Sequence, residues 1–199
     1  MKSENRQNRL FIIAISSVAA IGGFLFGFDT GVISGTLIFL QDANGWALTD
    51  SQLGGVTTAV LLGAVFGCLI SGKITDIFGR KKIIIMTSVI FMCGALLSGS
   101  APDVMFLIIS RWFLGVGIGI ASFSVPLYIA EISPARNRGA LVTINQLMIT
   151  VGILVSYITD YWIANDADPF SWRLMFHVGF IPGLMLFTGM FFLPETPRW

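Results

Sequence analysis

The sequence predicts an all-α membrane protein of six transmembrane helices, and three observations carry that prediction. Hydrophobic residues make up 55% of the 199 residues and charged residues only 12%, whereas a soluble domain carries roughly 25% charged residues. The apolar residues fall into long continuous runs instead of the stripes of a helix that packs in water. The short polar connections between the runs alternate in the sign of their charge, as loops on the two sides of a bilayer do.

Crossing roughly 30 Å of hydrocarbon at about 1.5 Å per residue takes about 20 residues. The opening MKSENRQNR is polar and basic and reads as a cytoplasmic tail, 1–9. The apolar run after it outlasts the roughly 7–15 residues of a signal-peptide core, and no small-residue cleavage site follows, so it is read as a retained first span. That span, Leu10 to Leu40, is long enough to be tilted or kinked. The second is expected near Gln52 to Ile74, the third near Ile83 to Ala101 and the fourth near Val104 to Ile129. The fifth follows near Ala140 to Ile163 and the sixth near Trp172 to Leu193, which puts the bundle at 10–193 and the start of a linker at 194–199.

In this layout Lys2, Arg6, Arg9, Lys73, Arg80, Lys81, Lys82, Arg136, Arg138 and Arg198 share one side. Asp42, Asp50, Asp103, Asp160, Asp166 and Asp168 share the other, with Arg173 as its only basic residue. The positive-inside rule then puts both termini in the cytoplasm of a multi-pass protein of the cell membrane, with the lipid bilayer as its solvent. A net charge of +1 gives no reason to expect nucleic acid. Cys68 and Cys93 lie inside apolar runs, form neither a disulfide framework nor a metal spacing, and are expected to pack inertly. No metal and no cofactor is expected. The Gly115, Gly117, Gly119 run imitates a dinucleotide fingerprint but lacks the strand and βαβ unit that motif needs. It reads, like Gly22, Gly23, Gly27, Gly31 and Gly35 in the first span, as a surface for close helix packing.

A charge near the middle of a span is paired, faces a cavity, or is functional. Asp29 stands about 11 residues short of the outer end of the first span and Arg111 about 8 residues into the fourth, so both lie roughly 12–17 Å below the outer boundary. They are able to pair. An arginine stabilises an ionised carboxylate, whereas an isolated buried carboxylate favours its protonated form. A conformational change that separates the two therefore moves a proton; a static ion pair fixing helix register is the alternative. Gln146 is read as a buried amide able to meet either hydroxyl groups or an opposing helix, with Asn145 facing elsewhere. His177 is assigned to packing or an interface.

The connection GKITDIFGRKK resembles the signature loop of the major facilitator superfamily, through Gly72, Asp76, Gly79, Arg80 and Lys81. GFDTGVISG, RWFLGVGIG, PLYIAEISPARNRG, NQL and PETPRW are similar, in order from Gly27 to Trp199, to the sugar porter family within it. The resemblance implies the amino-terminal half of a twelve-helix fold, built as two inverted three-helix repeats, whose missing carboxy-terminal six-helix half is a partner. It implies alternating-access transport of a monosaccharide or polyol (hexose, pentose or inositol) by proton symport, with Asp29 as the protonation site and Arg111 as its partner. Gln146 and Phe26 match sugar-contacting positions, a ring face packing on a pyranose. Asp76, Arg80, Glu131, Arg138, Glu195 and Arg198 match a cytoplasmic charge network. A facilitative uniporter and a non-transporting sensor or partner derived from a truncated porter are the alternatives. An enzyme is not expected, since no paired-carboxylate, nucleophile-with-base or metal-ligand constellation stands outside the spans. The short first connection and the absence of an Asn-x-Ser/Thr acceptor favour a bacterial inner membrane.

Overall fold

A computed structural model describes residues 2–42, 46–164 and 168–196, with side chains from residue 17 onward. Its helices are α1 (Lys2–Gln41), α2 (Asp50–Phe78), α3 (Arg80–Gly99), α4 (Val104–Ile132), α5 (Arg138–Ile163), α6 (Ser171–Val178) and α7 (Phe180–Phe191). Among the described residues, six stretches are long and apolar enough to cross a bilayer, α6 and α7 together making the sixth, so the chain is a multi-pass membrane protein. The sixth span breaks at Gly179 because Pro182 lacks the N–H that would bond back across the junction; Gly179 instead donates to Phe176 O at 3.0 Å. Helix α1 is continuous from Lys2, so the polar opening segment is itself helical.

Helix ends follow local chemistry. Asp103 caps α4 by accepting from the Phe106 N–H at 2.7 Å, and Gln52 reaches back to the Thr49 N–H at 3.0 Å at the start of α2. Gly79 alone joins α2 to α3, at φ 92° and ψ 153°, a region open essentially to glycine. Gly79→Ala is expected to lower stability by about 1–3 kcal/mol in thermal unfolding of the detergent-solubilised chain; an unchanged midpoint would show that the turn relaxes freely.

The packing is reciprocal. Helix α1 lies along α5 and α4 lies along α2, while α3 packs on α4 as α6 and α7 pack on α1. Exchanging α1–α3 with α4–α7 reproduces the same contacts, as expected of two interlocked three-helix repeats. Glycines line both seams. Gly23, Gly27, Gly31 and Gly35 meet Asn145, Ile149, Ser156 and Asp160 of α5. Gly115 and Gly119 meet Val60 and Ala64 of α2, and Gly63 and Gly67 answer against Trp112 and Val116. Several of these contacts are to backbone, so the helices touch where side chains are missing; in lipid, which supplies no hydrophobic drive between helices, close packing does this work. Gly117 faces Ile90 of α3, so the glycine run serves two interfaces from inside a helix.

Two apolar clusters fill the bundle. One includes Leu25, Leu114, Tyr128 and Leu186; the other includes Val32, Leu107, Trp172 and Phe176. Cys68 and Cys93 are free thiols exposed on the outside of the bundle, not packed within it as expected. The difference is physical: lipid and protein interior are equally apolar, so an apolar run does not reveal which way a cysteine turns.

Candidate functional site

Asp29 and Arg111 meet where the two apolar clusters adjoin, between Leu25 and Val32 on α1 and between Leu107 and Leu114 on α4. The pair is nearly sealed, at 5% and 1% exposure. Arg111 Nη2 donates to Asp29 Oδ2 at 2.9 Å and Nη1 donates to Oδ1, a fork-to-fork arrangement that fixes both rotamers. The guanidinium also lies 5.1 Å from the centre of the Phe176 ring, where its charge meets the electron-rich face. A cavity of about 10 Å³, the size of one water molecule, opens beside the pair between Phe28, Phe91, Phe176 and Gly179. The break in the sixth span therefore lies directly at the ion pair. The two charges compensate one another only while the arginine stays in place; separating the side chains leaves each without its partner.

Phe26 is half-buried and turns into a second small cavity between α1, α3 and α4, shared with Gly22, Thr87, Phe91 and Gly117. Gln146 is exposed, which corrects the expectation of a buried amide. Asn145 takes that place, 9% exposed and packed on Gly23, and its Oδ1 has no hydrogen-bond partner. The two neighbours point about 100° apart on a helix, and the glycine row of α1 selects which of them faces inward. Phe26 and Gln146 thus belong to different walls of this six-span unit.

At the basic end, Arg80 gathers three elements. Its Nη2 pairs with Asp76 Oδ1 at 2.9 Å, its Nε donates to Glu131 Oε1 at 3.3 Å and its Nη1 donates to Thr75 O at 3.2 Å. Glu195 joins by accepting from the Lys81 N–H at 2.9 Å, placing a carboxylate on the positive N-terminus of α3. Tyr128 donates to Pro194 O at 2.7 Å and pins the same segment. Arg138 is exposed and makes none of these contacts, and Arg198 lies outside the described residues.

Some residues of the site were not anticipated. Phe176 gave no signal of its own, since an aromatic in a span is ordinary. Asp160 was counted only among the charges of the acidic side, at the end of the fifth span, yet it is 6% exposed and packed against Gly35 of α1. Its spacing was informative: Gly152, Ser156 and Asp160 repeat every four residues, marking one buried helix face. His177 bonds Ser100 Oγ at 3.0 Å, an interface contact at the end of α3. Among the described residues, no three histidine, cysteine or acidic side chains converge as metal ligands would.

A family model described as Sugar (and other) transporter matches residues 15–199. The galactose-proton symporter of Escherichia coli strain K12 is 39% identical over 198 residues, covering 100% of this chain and 42% of that protein. The D-xylose transporter of Levilactobacillus brevis is 44% identical over 180 residues, covering 90% of this chain and 38% of that protein. The structure of the xylose transporter XylE from E. coli in a partially occluded inward-open conformation superposes with a TM-score of 0.87 at 34% identity, covering 94% of this chain and 51% of that one. The chain spans about two fifths of the length of these curated relatives. It has the six-helix architecture of the amino-terminal half of a major facilitator fold and belongs to the sugar transporter family.

Proposed function

We propose that the chain forms the amino-terminal half of a sugar:proton symporter, with Asp29 as its proton-carrying group and Arg111 as the partner that holds it ionised between turnovers. The observation that carries this reading is the sealed, bidentate Asp29–Arg111 pair beside a water-sized cavity and a helix break. Arrival of a proton on Asp29 neutralises the carboxylate and frees the guanidinium; departure restores the pair. A conformational change that parts α1 from α4 therefore exchanges a proton, and alternating access supplies such a change. The names of the galactose-proton symporter and of XylE support a monosaccharide as the second substrate.

The basic end faces the cytoplasm of a bacterial cell membrane in this reading, following the positive-inside rule. A second six-helix half packs against the faces of α2 and α5, which are the second and fifth spans and the least buried of the six. Gln146, exposed on α5, then faces the cleft between halves, where its amide hydrogen-bonds sugar hydroxyls. Phe26, on a different wall, offers a ring face on which a pyranose packs. The cluster of Asp76, Arg80, Glu131 and Glu195, with Arg138 and Arg198 on the same side, forms the half of a cytoplasmic lock that the second half completes.

The test is gradient-driven uptake of labelled galactose, xylose and glucose into proteoliposomes. It compares the complete transporter carrying this half with its Asp29→Asn variant and with the 199-residue chain alone. Accumulation by the complete protein should fall at least tenfold in the variant, to the level reached with an uncoupler, while exchange without a gradient persists. Equal, non-accumulating exchange by both forms would make the protein a uniporter. Uptake by the isolated chain would overturn the need for a second half.

A further inference from the structure

We propose that Asp160 is a second proton-binding site, carrying a proton as a neutral carboxylic acid while α1 and α5 are packed together. Neither of its carboxyl oxygens has a hydrogen-bond partner, and the side chain is closed off from solvent. The space it fills exists because Gly35 of α1 has no side chain: a Cβ there would lie 2.7 Å from Asp160 Cγ. Further chain packed on this bundle would bury the group more deeply.

Among the described residues, no cation is bonded to it. Among the described side chains of α1 the charged one is Asp29, held by Arg111, and Asp42 follows the helix seven positions beyond Gly35. On α4 they are Arg111, committed to Asp29, and Glu131, committed to Arg80 at the other end of the bundle. On α6, Arg173 lies 4.7 Å over the Trp172 ring and donates to Gly99 O at 3.3 Å, and His177 is bonded to Ser100. Along α5 itself, Arg138 stands at the opposite end, and Tyr157 and Tyr161 are exposed. An ionised carboxylate so enclosed is strongly disfavoured, whereas the neutral acid is a modest polar group with an O–H to donate.

Asp160 lies three residues from the end of α5, so the proton comes from water at the acidic end of the bundle. It forms an O–H bond as the seam closes and returns to water when α1 and α5 part. Because the proton binds the packed arrangement preferentially, acid at that face favours packing and alkali favours opening. The inference does not depend on symport through Asp29; it holds equally for a uniporter.

Infrared spectroscopy tests it directly, on the 199-residue chain in lipid nanodiscs at neutral pH, by following the carbonyl stretch of protonated carboxyl groups and its shift on exchange into deuterium oxide. The parent should show such a band, Asp29→Asn should keep it and Asp160→Asn should lose it. Asparagine has the shape of the neutral acid, so the fold should survive the change. As a check that leaves residue 160 intact, carbon-13 labelling of aspartate in Asp29→Asn should shift the surviving band. A parent with no protonated carboxyl band, or a band that persists unchanged in Asp160→Asn, would overturn the proposal. Loss of the band in Asp29→Asn would assign the proton to Asp29 instead, against Asp160.

Discussion

Arg111→Met should destabilise the bundle by about 3–5 kcal/mol, the range seen when one member of a buried ion pair is removed. The loss comes chiefly from what remains. Asp29 is 5% exposed, both its oxygens accept from Arg111, and among the described residues no other cation is bonded to it. The Phe176 ring also loses the guanidinium it faces at 5.1 Å, while a methionine keeps most of the volume. The diagnostic variant is the double replacement. Adding Asp29→Asn to Arg111→Met removes the stranded charge and should recover at least half of the loss, because a buried pair replaced as a unit is often nearly neutral in stability. Unfolding of the detergent-solubilised chain, followed by tryptophan fluorescence, measures all four members of the cycle. Additive losses from the two single changes would show that the residues are not energetically paired.

The second large effect is expected at the α1–α5 seam. A Cβ at Gly27 would collide with the backbone of Ile149, which cannot swing aside as a side-chain tip can. Gly27→Ala should therefore destabilise by about 1–3 kcal/mol through overpacking, and Gly27→Val by more. Gly54, on α2, has nothing within 4 Å of an added Cβ. There the same glycine-to-alanine change should stabilise by up to about 1 kcal/mol through helix propensity alone. The contrast between the two variants separates packing from propensity, and similar unfolding midpoints would mean that the seam gives way more easily than its geometry suggests.

The spans and their ion pair were legible because bilayer physics writes them in plain terms. Run length counts residues across the hydrocarbon, and a lone Asp29 and a lone Arg111 at equal depth have few partners but each other. Facing was much less legible. In water, a helix shows its buried side by an apolar stripe; in lipid, both sides are apolar, so Gln146 was read as buried where this six-span unit exposes it, and the two cysteines were read as packed where they are exposed. The informative signal was small residues every four positions, at Gly23, Gly27, Gly31 and Gly35 and again at Gly152, Ser156 and Asp160. That same periodicity, applied to α5, places Asp160 in the seam with α1 and not merely on the acidic side. The break at Gly179 was visible as Gly-x-x-Pro, but apolar composition on either side reads as one continuous span.

The reciprocal seams also bear on how the protein is made. Gly27 cannot meet Ile149 until about 120 further residues have been synthesised, roughly 6–24 s at ribosomal speeds of about 5–20 residues per second. During that interval α1 waits in the bilayer with its glycine face unmatched, and α2 waits for α4. Neither three-helix repeat is a finished object when it leaves the ribosome. Pausing sites, insertion chaperones or a rare-codon stretch placed between α3 and α5 would act on a partly assembled bundle, and slower translation there would lengthen its exposure to misassociation and proteolysis.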